Sequence, residues 1–261
     1  MQHYTACSNK EMIILFEVCC GGYQDALNAA IGGASRIELN SALYLGGLTP
    51  SAASLILTKE NTNLKVICMV RPRPAGFCYN DNEFEQMLLE AKELLRNGAD
   101  GIAFGCLNND YTINTKQVEI MCDLVNKYKA EAVFHRAFDC VSNPIQALEV
   151  LIKLGIKRIL TSGQKPTAIE GIKLIKQLQE IYGQRIEILA GSGINYKNAE
   201  KILQFTKVNQ LHATCKNYKE DVTTTGAEVS YGYLGNQFFN SYEEVDPQIV
   251  KELVKIVEQK E

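Results

Sequence analysis

A chain of 261 residues with 46% hydrophobic and 22% charged side chains has the size of one (β/α)8 barrel, which closes at roughly 250 residues, and is too apolar for intrinsic disorder. A net charge of −3 without any extended Lys/Arg run excludes nucleic acid and anionic membrane surfaces as partners, because both are bound through clustered basic charge. Nine cysteines, odd in number and never at Cys-x-x-Cys spacing, exclude a disulfide framework and read as free thiols, most of them core filler.

In chain order, residues 1–11 form a polar N-terminal extension without the basic-then-apolar pattern of a secretory signal. Apolar runs such as Met12 to Val18 and Val66 to Val70 fall far short of the roughly 20 residues a bilayer helix needs, so the expected location is the cytoplasm. Short β-branched runs then alternate with longer amphipathic stretches, the signature of repeated βα units on a parallel sheet. Eight strands are predicted: Ile13 to Val18, Arg36 to Leu39, Lys65 to Val70, Gly101 to Phe104, Ala132 to His135, Arg158 to Thr161, Glu187 to Ala190 and Gln210 to Ala213. The clearest helices are Glu83 to Arg96, Thr115 to Lys129, Pro144 to Leu154, Ala168 to Tyr182, Asn198 to Phe205 and Pro247 to Gln259.

A weak repeat supports this alternation. The strings Gly33 to Ile37, Gly98 to Ile102 and Gly155 to Ile159 each place a glycine just after a helix and shortly before a strand, where a left-handed helix end is cheap only without a Cβ. An open doubly wound sheet competes with a closed barrel, but eight units with no clear reversal point favour closure into one α/β domain, a (β/α)8 TIM barrel over residues 1–261. Residues 216–244, rich in Gly, Asn, Thr and Tyr and without a strong period, are predicted to be a long loop over the barrel mouth before the last helix.

Functional groups in such barrels sit at the carboxyl ends of the strands and in the loops that follow. That rule selects Glu17 and Cys19, Glu38 and Asn40, Arg71 and Arg73, Cys106, His135 with Arg136 and Asp139, Thr161 with Ser162, Gly191 to Gly193, and His212. Strand alternation puts Glu17 on one face with Cys19 and Glu38 on one face with Asn40, and turns Cys20 away. Glu17 and Glu38 are expected to converge with Arg71 and Arg73 above the barrel, as a ligand site or as mutually neutralising charges. The stiff Arg71-Pro72-Arg73 string would present two guanidiniums to a carboxylate or phosphate. Gly191-Ser192-Gly193 reads as a phosphate loop or as a plain turn, and Thr161-Ser162-Gly163 adds hydroxyl donors or leads into the next helix. His135 and His212 are each a general base, a metal ligand or a structural hydrogen-bonder. No nucleophile elbow, P-loop or zincin pair is present.

Together these strings resemble the CutC family of copper homeostasis proteins. The carriers are Glu17-Val18-Cys19, Gly33 to Leu39, Gly46 to Ser51, Arg71-Pro72-Arg73, Phe134 to Asp139, Arg158 to Gln164, and Gly191-Ser192-Gly193 with His212. The resemblance implies a (β/α)8 barrel and cytosolic copper handling, with Cu(I) bound by cysteines near the ends of the first two strands. Cys19 matches the first of these positions. The second is Asn40, a poor ligand for a soft ion, which leaves Cys20, Cys106 or Met69 as substitutes. A second departure is Pro74-Ala75-Gly76 before Phe77, where the family more often carries an aspartate.

Two functions follow. The first is a copper homeostasis protein binding Cu(I) through Cys19. The second is an enzyme on a small phosphorylated or carboxylate substrate, with Glu17, Glu38, His135 and Asp139 as catalytic groups and Arg71, Arg73, Arg136, Thr161, Ser162, Gly191, Ser192, Gly193 and His212 as ligand contacts. The exposed helices of a barrel would also allow a homo-oligomer.

Overall fold

Strands that are covered on both faces lose the inside–outside alternation of a half-exposed sheet and read as short, nearly continuous apolar runs. Eight such strands occur: β1 (Leu15–Cys20), β2 (Arg36–Leu39), β3 (Lys65–Met69), β4 (Gly101–Phe104), β5 (Glu131–Phe134), β6 (Arg158–Thr161), β7 (Glu187–Gly191) and β8 (Gln210–Ala213). Each pairs in parallel with its successor, and β1 also pairs with β8, so the ring closes and the open doubly wound alternative is excluded. The computed structural model describes residues 15–258; the predicted extension 1–11 and the first two residues of the first predicted strand lie outside the described residues.

Eight helices cover the ring: α1 (Tyr23–Ile31), α2 (Ala52–Asn61), α3 (Asp81–Arg96), α4 (Thr115–Lys127), α5 (Pro144–Lys153), α6 (Ile172–Tyr182), α7 (Ala199–Thr206) and α8 (Pro247–Glu258). Their starts are written locally. Asn80 and Glu83 form a reciprocal capping box, and Asn143 caps α5 ahead of Pro144. The repeated glycines behave as predicted, with φ of 91° at Gly33, 92° at Gly98 and 83° at Gly155. Helix α6 starts four residues later than its apolar pattern suggests. The backbone turns first, with Gly171 N–H donating to Thr167 O, and Gly171 packs so tightly on Ser162 that a Cβ there would fall 1.9 Å from its carbonyl oxygen.

The main apolar core lies between the outer face of the ring and the helices. It includes Val18, Cys20, Ile37, Leu39, Val66 and Cys68, which places Cys20 on the side away from Cys19. Inside the ring the apolar cluster is small, Ile67, Ala103 and Val133 on β3, β4 and β5. Met69, Leu160 and Leu189 are also buried apart from the helix-facing core, and polar groups share the interior with them. Glu17, Arg36, Arg158 and Gln210 are all buried there.

The segment predicted as a loop over 216–244 carries a further element. Strands β9 (Lys216–Glu220) and β10 (Ser241–Val245) pair antiparallel as a ribbon, and two one-turn 3-10 helices lie between them. The sequence conceals the ribbon because β9 is exposed throughout and has no apolar face to alternate. Cross-strand charge holds it, Lys216 to Glu243 and Lys219 to Glu244 at 3.5 Å, and Asp25 Oδ1 at the start of α1 accepts the Val245 N–H at 2.9 Å.

Candidate functional site

Register sets the site. Glu17 on β1 lies beside Arg36 on β2 and His212 on β8, and one level higher Cys19 lies beside Glu38. All five side chains point into the ring and are buried. The Arg36 Nε stands 2.6 Å from Glu17 Oε2, Arg158 Nη2 stands 2.8 Å from Glu131 and 3.9 Å from Glu17, and Gln210 Oε1 accepts from both arginines. Burial alone would raise the Glu17 carboxyl, but Arg158, Arg36 and the His212 hydrogen bond hold it far below the ordinary carboxylate range. Glu17 is therefore an anion locked at the base of the site.

His212 Nδ1 lies 2.9 Å from the other oxygen of Glu17. That contact fixes the ring and leaves Nε2 facing Glu38 Oε2 at 4.0 Å. Burial pulls the His212 pKa down, yet its hydrogen bond to Glu17 and the charges of Glu38 and Glu17 leave it raised. The Cys19 thiol donates to Glu38 Oε2 at 3.8 Å, and the Asn40 amide donates to Cys19 Sγ at 3.5 Å and to Glu38 Oε2 at 3.0 Å. Burial, and then Glu38, push the Cys19 thiol well up, so it holds its proton near neutrality. Glu38 is raised by burial, partly offset by His212. One ligand atom from each of Cys19, Glu38 and His212 lies within 4.8 Å of the others. Thiolate and imidazole are donors suited to copper, so this set fits the ion that the first two strands were expected to hold, with His212 in the part expected of a second cysteine.

These groups open into a cavity of about 610 Å³ at the carboxyl ends of the strands. Met69, Arg71, Phe77, His135 and Arg136 line one side, and Tyr44, Lys216, Tyr233, Glu243 and Glu244 another. The ribbon thus supplies part of the wall.

The expected convergence of Glu17 and Glu38 with Arg71 and Arg73 is partial: Arg71 shares the cavity with Glu38, but no ion pair joins either arginine to Glu17 or Glu38 among the described residues. Arg73 turns away to Glu83 on α3, and Arg71 donates to the carbonyls of Leu45, Gly47 and Ala75 at 3.1, 3.0 and 2.7 Å. Asp139, Thr161 and Ser162 are absorbed into a structural knot beside the cavity. Asp139 accepts from Thr161 Oγ1 at 2.5 Å, from the N–H groups of Ser162 and Gln164, and from Arg136 Nε at 2.9 Å, so its carboxylate has no capacity left for a substrate. Gly191 is glycine for packing, since a Cβ would meet Leu160 Cδ1 at 2.6 Å. Ser192 and Gly193 line the cavity, Ser192 Oγ donates to Pro166 O, and the nearest helix, α7, starts only at Ala199. His135 Nδ1 accepts the Ala137 N–H at 3.1 Å, and burial, then Arg71, bring its pKa down to about 3, so it does not carry protons near neutrality. Cys106 is buried with the helix-facing core.

Arg36 and Arg158 were not selected from sequence because they open their strands at the amino end, away from the catalytic face. The available signal is a charge at an inward position of an otherwise apolar strand, as in Arg158-Ile159-Leu160.

Residues 14–217 match the CutC family. The chain is 49% identical over 220 residues to a CutC family protein of Treponema denticola, covering 84% of this chain and 89% of that one. It is 41% identical over 207 residues to the mouse copper homeostasis protein cutC homolog, covering 79% and 75%. A crystal structure of CutC from Streptococcus agalactiae superposes with a TM-score of 0.73 at 33% identity, over 77% of this chain and 98% of that one. Thiamine phosphate pyrophosphorylase from Pyrococcus furiosus shares the barrel alone, at a TM-score of 0.54 and 15% identity over 96% and 98% of the two chains. No described helix is long and apolar enough to cross a membrane. With the strand-end strings, the closed ring and these relatives in agreement, the chain belongs to the CutC family.

Proposed function

We propose that this protein serves copper homeostasis by holding one Cu(I) ion as cargo between Cys19 Sγ and His212 Nε2, with Glu38 beside them. The observation that carries this reading is the convergence of the three donor atoms within 4.8 Å inside a buried site. Soft thiolate and borderline imidazole suit Cu(I), and the Glu17–His212 contact is the carboxylate support that metal-ligating histidines ordinarily have. Asn40 fills the second-cysteine position as a hydrogen-bond donor to the thiol rather than as a ligand. The mouse and human relatives named as copper homeostasis proteins support the choice of metal.

The test is an anaerobic Cu(I) titration against a competing chelator with the unmodified protein, Cys19→Ser and His212→Gln. Loss of about 100-fold or more in affinity in both variants is expected, equal to about 2.7 kcal/mol. Equal affinity in all three proteins would sink the reading.

A second reading is favoured by one observation: a cavity of about 610 Å³ exceeds what a single ion needs and matches the size of a small-molecule site. In that reading the protein is an enzyme acting on a small anion, with Glu38 and His212 exchanging a proton with the substrate. Binding of a small molecule that survives Cys19→Ser supports it.

A further inference from the structure

Three arginines of the described chain are buried, and two of them are paired: Arg36 with Glu17 and Arg158 with Glu131. Arg71 differs. It is 5% exposed, forms no ion pair among the described residues, and donates to backbone carbonyls, with the neutral Phe77 ring and Tyr79 hydroxyl beside it. An uncompensated buried charge is costly, so a cation left in this state on a cavity wall calls for an anion from outside the fold.

His135 stands beside it. Both pack on Phe77, the Arg71 Cζ at 5.2 Å and the His135 ring at 5.1 Å from the centre of that ring, and both line the cavity. The Nδ1 of His135 is occupied as an acceptor by the Ala137 N–H, so the proton sits on Nε2. That Nε2–H is buried and has no hydrogen-bond partner among the described residues. The Cε1–Nδ1 edge is packed against residue 105, which is glycine because a Cβ there would lie 2.6 Å from His135 Cε1. A buried donor without an acceptor costs about 1–3 kcal/mol, which an incoming oxygen recovers. Arg136, whose Nε and Nη2 are engaged by Asp139 and Ser162, adds a second positive charge to the same wall.

We propose that Arg71 and His135 form an anion subsite that takes the carboxylate or phosphate oxygens of a small organic molecule, with Arg71 as counter-charge and His135 as an uncharged hydrogen-bond donor. Its His135 end is set apart from the Cys19–Glu38–His212 cluster, since β5 lies across the eight-stranded ring from β1, while Arg71 follows β3, next to β2 and Glu38, on the same cavity. The inference rests on the second reading above, that the cavity admits a small molecule, and does not require copper. It changes the part of His135 in that reading. The ring moves no proton; it polarises or holds an oxygen, and any acid–base step falls to Glu38 and His212.

The test uses the full chain labelled with 15N-histidine and titrated separately with inorganic phosphate and with acetate, which distinguish the two oxyanion sources. A saturable shift of the His135 Nε2–H resonance by one of them is expected, with affinity, read in the variants from the His212 resonance on the same cavity, about 10- to 100-fold weaker in His135→Phe, which keeps the ring on Phe77, and in Arg71→Met. Because Arg71 also ties down three carbonyls, folding of Arg71→Met is checked by circular dichroism, and the direct resonance shift in the unmodified protein decides if that variant fails. A titration that leaves His135 unmoved while phosphate or acetate shifts other cavity resonances overturns the subsite and spares the second reading. No shift anywhere at concentrations well above the about 1 mM at which small substrates bind overturns both.

Discussion

Asn40 donates to the Cys19 thiol from 3.5 Å and is itself 1% exposed, so the position that would supply a second soft ligand is already aimed at the first. Asn40→Cys should therefore tighten Cu(I) binding by about tenfold or more, about 1.4 kcal/mol, in the same chelator competition. Weaker binding by that variant would mean that the amide's hydrogen bond matters more than a second sulfur. His135 makes a different prediction. Its folded pKa, about 3, lies below the ordinary value near 6.5, so between those values the unfolded chain binds more protons than the folded one. Stability from this residue is complete above pH 6.5 and is lost as pH falls towards 3, by up to about 1.4 kcal/mol per pH unit. Urea unfolding across that range should show a shallower acid limb for His135→Phe.

Between elements, two contacts carry disproportionate weight. Arg158 at the start of β6 reaches Glu131 of β5, Gln210 of β8 and Glu17 of β1, which ties four strands through one fully buried guanidinium. Removing it leaves the buried Glu17 with Arg36 as its one arginine and takes a partner from the partly buried Glu131, and Arg158→Met should destabilise the chain by about 3–5 kcal/mol in denaturant unfolding. A ring that tolerates the change within 1 kcal/mol, the scale of an exposed pair, would show the network to be energetically idle. At the ribbon, Asp25 accepts the Gly21 N–H at 2.7 Å and the Val245 N–H at 2.9 Å, while Asn28 donates to Val245 O. Asp25→Ala should cost about 1–3 kcal/mol and raise hydrogen exchange in 216–245 ahead of the ring. Uniform protection across both would show that the ribbon does not depend on this tether.

For the molecule as a whole, the ring was legible because a period near 3.6 alternates with short fully apolar runs, and because Gly33, Gly98 and Gly155 mark where each helix gives way to a strand. Half of the site was legible by the same logic. The strand-end rule and side-chain alternation bring out Cys19, Glu38 and His212, whereas no local pattern announces that Arg73 turns outward to Glu83 or that Asp139 is consumed by the Thr161 loop. Those outcomes depend on partners 10 and 22 residues away, brought near by the path of the β3–α3 loop and by the pairing of β5 with β6. Arg36 and Arg158 escaped for a related reason: their carboxylate partners lie on other strands.

The ring closes by pairing its first strand with its eighth, and the hydrogen bond between Glu17 and His212 spans 195 residues of sequence. Contacts so distant form late, because the intervening chain must be in place before they can. During synthesis, which runs from the amino end at about 5–20 residues per second, Cys19 leaves the ribosome about 10–40 seconds before His212. Throughout that interval the nascent chain offers a thiol without its imidazole partner. The proposed two-donor site would thus exist only in the finished molecule, with the eighth strand timing any capture of cargo.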